Sequence, residues 1–91
     1  MTDRELLELA AKAAGIEGVI SVDHKFIWTK NATERWNPLQ DDGDALRLAV
    51  KLYLWEPIRL AHRDITDAVD FYAATRRAIV RAAAEIGKAM P

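Results

Sequence analysis

Asp41, Asp42 and Asp44 stand together ahead of an apolar run, and no other group of side chains in the chain looks more like a ligand set. Clustered carboxylates suit a hard cation, which takes oxygen ligands. The spacing argues against one. A calcium loop spreads its ligands over about twelve residues and closes on a bidentate glutamate, and no glutamate lies at that distance here. Gly43 is a single glycine rather than a phosphate cradle, and three acids at a helix start repel a phosphate. The same acids suit the start of a helix, where each interacts with the helix dipole by about 0.3–1 kcal/mol and caps free amides.

His62, Asp64, Asp67 and Asp70 form a second cluster. On a helix the aspartates recur along one face, as a metal site requires. A solvated helix face has the same spacing, and His24, the other histidine, lies far off in a predicted turn. No metal and no cofactor is expected. Ser21 is the sole serine, and no histidine neighbours it in a nucleophile-and-base arrangement. No catalytic residues are assigned, and the chain is read as non-enzymatic.

Arg76, Arg77, Arg81 and Lys88 make the last predicted helix basic, with Glu85 its only acid. Arg81 and Glu85 are spaced to pair across one turn. Such a stripe could meet phosphates, but nucleic-acid binding of that kind goes with a strongly basic domain, and the isoelectric point is near 6.1. Trp28, Trp36 and Trp55 could stack bases or anchor an interface. Bulk for the core is the plainer role of a tryptophan in so short a chain. Trp36 falls in a predicted loop and is the ring expected at the surface. The candidate interaction surface is therefore Trp36 with Arg76, Arg77, Arg81 and Lys88.

The elements that must position these residues start with a helix. Thr2 and Glu5 have capping-box spacing, Leu6, Leu9, Ala10 and Ala13 recur at helical spacing, and Gly15 then Ile16 provide the stop. Residues 18–31 read as a hairpin, Ile20 sharing a face with Val22, and Phe26 with Trp28. Residues 31–43 read as a loop, because Asn37 precedes Pro38. A second helix runs from Asp41 or Asp42 to about Tyr53. Its charges make one narrow stripe, so it should be covered on more than one side and form the centre of the fold. Leu54, Trp55, Ile58 and Leu60 suit a strand that Pro57 either confines to a sheet edge or interrupts, residues 62–72 read as a loop or an early turn of the next helix, and a last helix spans about Ala73 to Ala89, with Ile79, Ala82, Ala83, Ile86 and Met90 on one side.

The predicted fold is a single α+β domain over residues 1–91: a small antiparallel sheet, made of a hairpin plus an edge strand, packed with three helices. Ninety-one residues, 51% hydrophobic and 30% charged, are those of a globular chain. A chain this short buries roughly 65% of its unfolded surface, which leaves little room for a deep cleft. There is no cysteine for a disulfide or a thiolate. No apolar run approaches the roughly twenty residues that span a bilayer, and charges interrupt the N-terminal stretch, so neither a membrane segment nor a signal peptide is expected. The cytoplasm is the expected compartment. The net charge of −1 is split, with nine acids and five bases through residue 44 and five acids and eight bases after it.

The strings "LLELAAKAAGI", "ERWNPLQDDGDALRLAVKL" and "ATRRAIVRAAAEIGKAM" resemble the small proteins of tailed phages and prophages grouped as the phage ABA sandwich family. The likeness covers about half the chain, in order and at both ends. It implies helices sandwiching a sheet, and an accessory protein of a bacterial virus with no known chemistry. It lapses over residues 54–72, where a clearer strand is expected of such proteins. Together these features point to a phage or prophage accessory protein that binds a protein of the host or the phage. Self-association through an edge strand or the last helix is a further expectation. The alternative is a nucleic-acid-binding regulator that uses the basic helix.

Overall fold

A computed structural model describes residues 1–29, 34–64 and 70–91, with residues 61–64 described as backbone only. The first helix, α1 (Asp3–Ala14), begins and ends where local chemistry dictates. Thr2 Oγ1 accepts from the Glu5 amide at 3.2 Å, and the Glu5 carboxylate reaches back to the Thr2 amide. Gly15 takes a left-handed φ of 71°, and the Ile16 amide donates to the Ala11 carbonyl at 2.9 Å, closing the helix end. Leu6, Leu7, Ala10, Ala11 and Ala14 are buried. The apolar stripe thus lies slightly around the helix from its predicted line, with Leu9 and Ala13 at its margin.

Gly18–Ile20 (β1), Ile27–Thr29 (β2) and Glu34–Trp36 (β3) form an antiparallel sheet in the order β1-β2-β3. The predicted hairpin is β1–β2. Its partner is β3, drawn from a segment read as loop, and not the predicted edge strand at 54–60. That stretch is instead the helix α3 (Trp55–Asp64). Pro57 is its third residue, within the first turn, where amides lack an intrahelical acceptor and a missing N–H costs nothing.

Asp42–Leu52 is α2, capped by Asp41, whose carboxylate accepts from the Asp44 amide at 2.8 Å. It is not the covered centre that its composition suggests: Ala45, Leu48 and Ala49 are buried, but Leu46, Val50 and Tyr53 lie exposed. The hub is α4 (Phe71–Ala89), which packs against α1, α2 and α3. Its buried line is Ile79, Val80, Ala83, Ala84 and Gly87, whereas Ile86 and Met90 reach solvent. Small residues on both helices bring α1 and α4 close, and a Cβ on Gly87 would stand 2.0 Å from the Leu9 carbonyl oxygen.

The described residues therefore form an α+β fold of four helices and one three-stranded antiparallel sheet. Among them, no helix is long and apolar enough to cross a membrane. One core joins Leu7, Ala10, Leu48, Val80 and Ala83 with Ile27 and Trp36 of the sheet.

Candidate functional site

Strand register sorts the sheet into two faces, because side chains alternate along each strand. Ile20 pairs with Ile27 and Ile27 with Trp36, giving the row that meets the core. Val19 pairs with Trp28 and Trp28 with Arg35, giving the outer row. Phe26 lies two residues before Trp28 and shares its side, as the alternation predicts. Their rings meet edge to face, with centroids 4.9 Å apart and an interplanar angle of 80°. Arg35 lays its guanidinium over both, 4.9 Å from the Phe26 centroid and 5.5 Å from that of Trp28.

Each cation–π contact contributes about 0.5–1 kcal/mol at an exposed position, and the two together favour the guanidinium beside the rings. Arg35 has no carboxylate partner among the described residues. Its donors therefore stay available while its position is set. Val19 beside it is 71% exposed. Among the described residues, Val19 and Arg35 of this outer row are exposed and Phe26 and Trp28 half-buried, where the resemblance to the sandwich family implies helices on both sides. Next to it runs an open groove of about 380 Å³, whose charged lining is Glu17, Glu34, Arg35, Asp44 and Arg47.

A polar clamp in the hairpin turn holds Phe26 in place. Ser21 is buried; its hydroxyl donates to Asp23 Oδ1 at 2.6 Å and accepts from the amides of Lys25 and Phe26 at 3.1 and 3.2 Å. One donor and two lone pairs are all a hydroxyl has. Ser21 is thus committed to the turn rather than to nucleophilic chemistry. The same bond from Ser21 holds the Asp23 carboxyl below its ordinary range, assisted by the Lys25 amide and charge. His24 completes the turn with a φ of 60°.

The acidic knot is likewise committed. Asp41 caps α2. Asp44 accepts from the Asn37 amide at 2.9 Å and from Arg47 Nη2 at 2.7 Å, while Asp42 Oδ1 meets Arg76 Nη1 at 2.7 Å. Of the second acidic cluster, Asp67 lies outside the described residues, and His62 and Asp64 are described as backbone only. Asp70 accepts from the Ala73 amide at 3.3 Å and caps α4. Among the described residues no group of three or more histidine, aspartate and glutamate side chains stands close enough to hold a metal.

The predicted interaction surface is dispersed. Trp36 is 8% exposed, because β3 pairs with β2 and turns its ring onto Ile27. Arg76 donates to the Leu39 carbonyl at 2.9 Å and to Asp42, which ties α4 to the start of α2. Arg77 meets Asp3 at 3.1 Å. Arg81 and Lys88 remain exposed, and Lys88 complements the C-terminal end of the α4 dipole. The basic stripe is therefore half consumed by internal pairing. Sequence reading placed Phe26 and Trp28 on one face but missed Arg35, which joins them only through the strand pairing of residues 34–36.

The chain matches no family model, no curated protein and no solved structure in comparisons with known proteins.

Proposed function

We propose that this chain is a small phage or prophage accessory protein that acts by binding another protein in the host cytoplasm, without catalysing a reaction, and that the outer face of its sheet makes the contact. One observation carries this reading: Arg35 lies over Phe26 and Trp28 on the outer row of the sheet, itself exposed and with no carboxylate partner among the described residues. Arginine and tryptophan are the side chains that most often dominate protein interfaces, and a cation fixed before binding loses little further entropy. The family resemblance supports the phage origin.

The surroundings favour a protein over a nucleic acid. The adjoining groove is lined by Glu17, Glu34 and Asp44 against Arg35 and Arg47, so it offers no net positive charge to a phosphate chain, and one guanidinium beside two rings suits a single carboxylate with apolar neighbours. The basic helix loses Arg76 and Arg77 to Asp42 and Asp3. The test is capture from host lysate by the wild type, by Trp28→Ala with Arg35→Ala, and by a Glu85→Ala control. A partner kept by the control and lost by the double variant is the expected result. Identical capture by all three overturns the reading. So does binding to a single-stranded oligonucleotide that weakens steeply with salt.

A further inference from the structure

The two edges of the sheet are guarded unequally. On β3, Glu34 and Arg35 place charges on successive residues, and Pro38 follows shortly after. Charges and proline are the devices that keep an edge from pairing. On β1, Gly18, Val19 and Ile20 carry no charge at all.

Register shows which backbone groups that edge offers. Ser21 donates to the Phe26 carbonyl at 2.8 Å, so Ser21–Phe26 is a hydrogen-bonded pair, and by alternation so is Val19–Trp28. Gly18 and Ile20 fall at the intervening pairs, with their amides and carbonyls directed away from β2. Two outward-facing residues flanking one central residue match their own copy when turned through a two-fold axis at Val19.

We infer that β1 pairs antiparallel with β1 of a second copy, centred on Val19, joining two three-stranded sheets into one continuous sheet. Gly18 of each copy then exchanges both main-chain hydrogen bonds with Ile20 of the other. Val19 faces its own counterpart at the close, non-hydrogen-bonded position, where side chains meet most tightly, and its 71% exposure disappears. The same register sets Ile16 against Val22 of the second copy. Val22 is fully exposed, and Ile16 lines an open groove of about 520 Å³ between α1 and β1 with Ala11 and Ile20. The hairpin turn of one copy is thus the filler of the other's groove. The hairpin turn that faces Glu17 carries Asp23 alongside Lys25, so no net like charge opposes the approach. Because β3 is guarded, the assembly closes as a dimer and does not extend.

Sedimentation velocity over a concentration series tests this. The wild type should reach twice the monomer mass in the high micromolar range. Val19→Lys and Val19→Asp should each stay monomeric with unchanged circular dichroism, since like charges directly opposite repel. An equimolar mixture of the two should recover the dimer, because the register opposes residue 19 to itself. A wild type that stays monomeric throughout, a Val19→Lys variant that still dimerises, or a mixture that fails to associate overturns the proposal.

Discussion

Replacing Gly87 with alanine probes the contact on which the helical layer rests. The added Cβ would stand 2.0 Å from the Leu9 carbonyl oxygen, where ordinary contact begins at 3.4 Å, so α1 and α4 must part locally by about 1.4 Å, the difference between the two distances. The neighbour is backbone, and no rotamer change relieves the clash. Overpacking of this kind costs roughly 1–3 kcal/mol, and a rigid neighbour places it at the upper end. Alanine returns about 1 kcal/mol of helix propensity. The net loss is about 2 kcal/mol, which in a domain of this size lowers the melting temperature by roughly 8–16 °C. Gly43→Ala is the control: there the nearest atoms, 3.2–3.4 Å away, are the exposed guanidinium of Arg47, which can move aside, and the Asp41 carboxylate, which need give only a few tenths of an ångström while it keeps capping α2. Thermal denaturation followed by circular dichroism should show a large drop for Gly87→Ala and a change of a few degrees at most for Gly43→Ala. A Gly87→Ala protein that melts with the wild type refutes the close approach of α1 and α4.

Asp44→Ala leaves the half-buried Asn37 amide without its acceptor and releases the exposed Arg47 guanidinium to water, and should cost about 1–3 kcal/mol by chemical denaturation, whereas loss of an unused surface carboxylate would cost nothing. The Asp23 carboxyl is held below its ordinary value of 3.8 mainly by Ser21. A depressed carboxylate pKa adds stability that is present above the ordinary value and drains away as pH falls through the folded one. Protection of the amides at residues 22–26, taken relative to their intrinsic exchange rates, should therefore fall in acid below about that value, and Ser21→Ala should flatten the dependence. Acrylamide should quench Trp55 readily and Trp36 poorly in single-tryptophan variants, since Trp36 is 8% and Trp55 51% exposed; easy quenching of Trp36 would contradict its place in the core.

What could be read from sequence follows how local each cause is. Thr2 with Glu5, Gly15 with Ile16, and Asp41 with Asp44 act within four residues of one another, and the boundaries they mark stand where they were expected. Strand β3 was hidden because Glu34 and Arg35 are charged and Asn37–Pro38 signals a loop; its pairing depends on Ile27 and Trp28, across the hairpin. α3 was hidden because Trp55, Ile58 and Leu60 favour strands, while Pro57 fits a first helical turn equally well. Long-range pairing decided the rest. Arg76 finds Asp42 across 34 residues, and Arg77 finds Asp3 across 74. Those two partnerships turn half of an apparent phosphate-binding stripe into internal ties. Trp36 is buried for the same kind of reason, since only its pairing with Ile27 sets the face it occupies. The platform of Phe26, Trp28 and Arg35 was half legible, its aromatic pair from alternation and its cation only from the sheet.

The outer sheet face as the contact surface is tested most directly by site-specific photo-crosslinking in host cells. A photoreactive phenylalanine analogue replaces Trp28 in one strain and Glu85, exposed on α4, in another. A discrete adduct with a heavier protein is expected from position 28, absent when Arg35→Ala is added, and none from position 85. Adducts from position 85 with none from position 28 would contradict that surface.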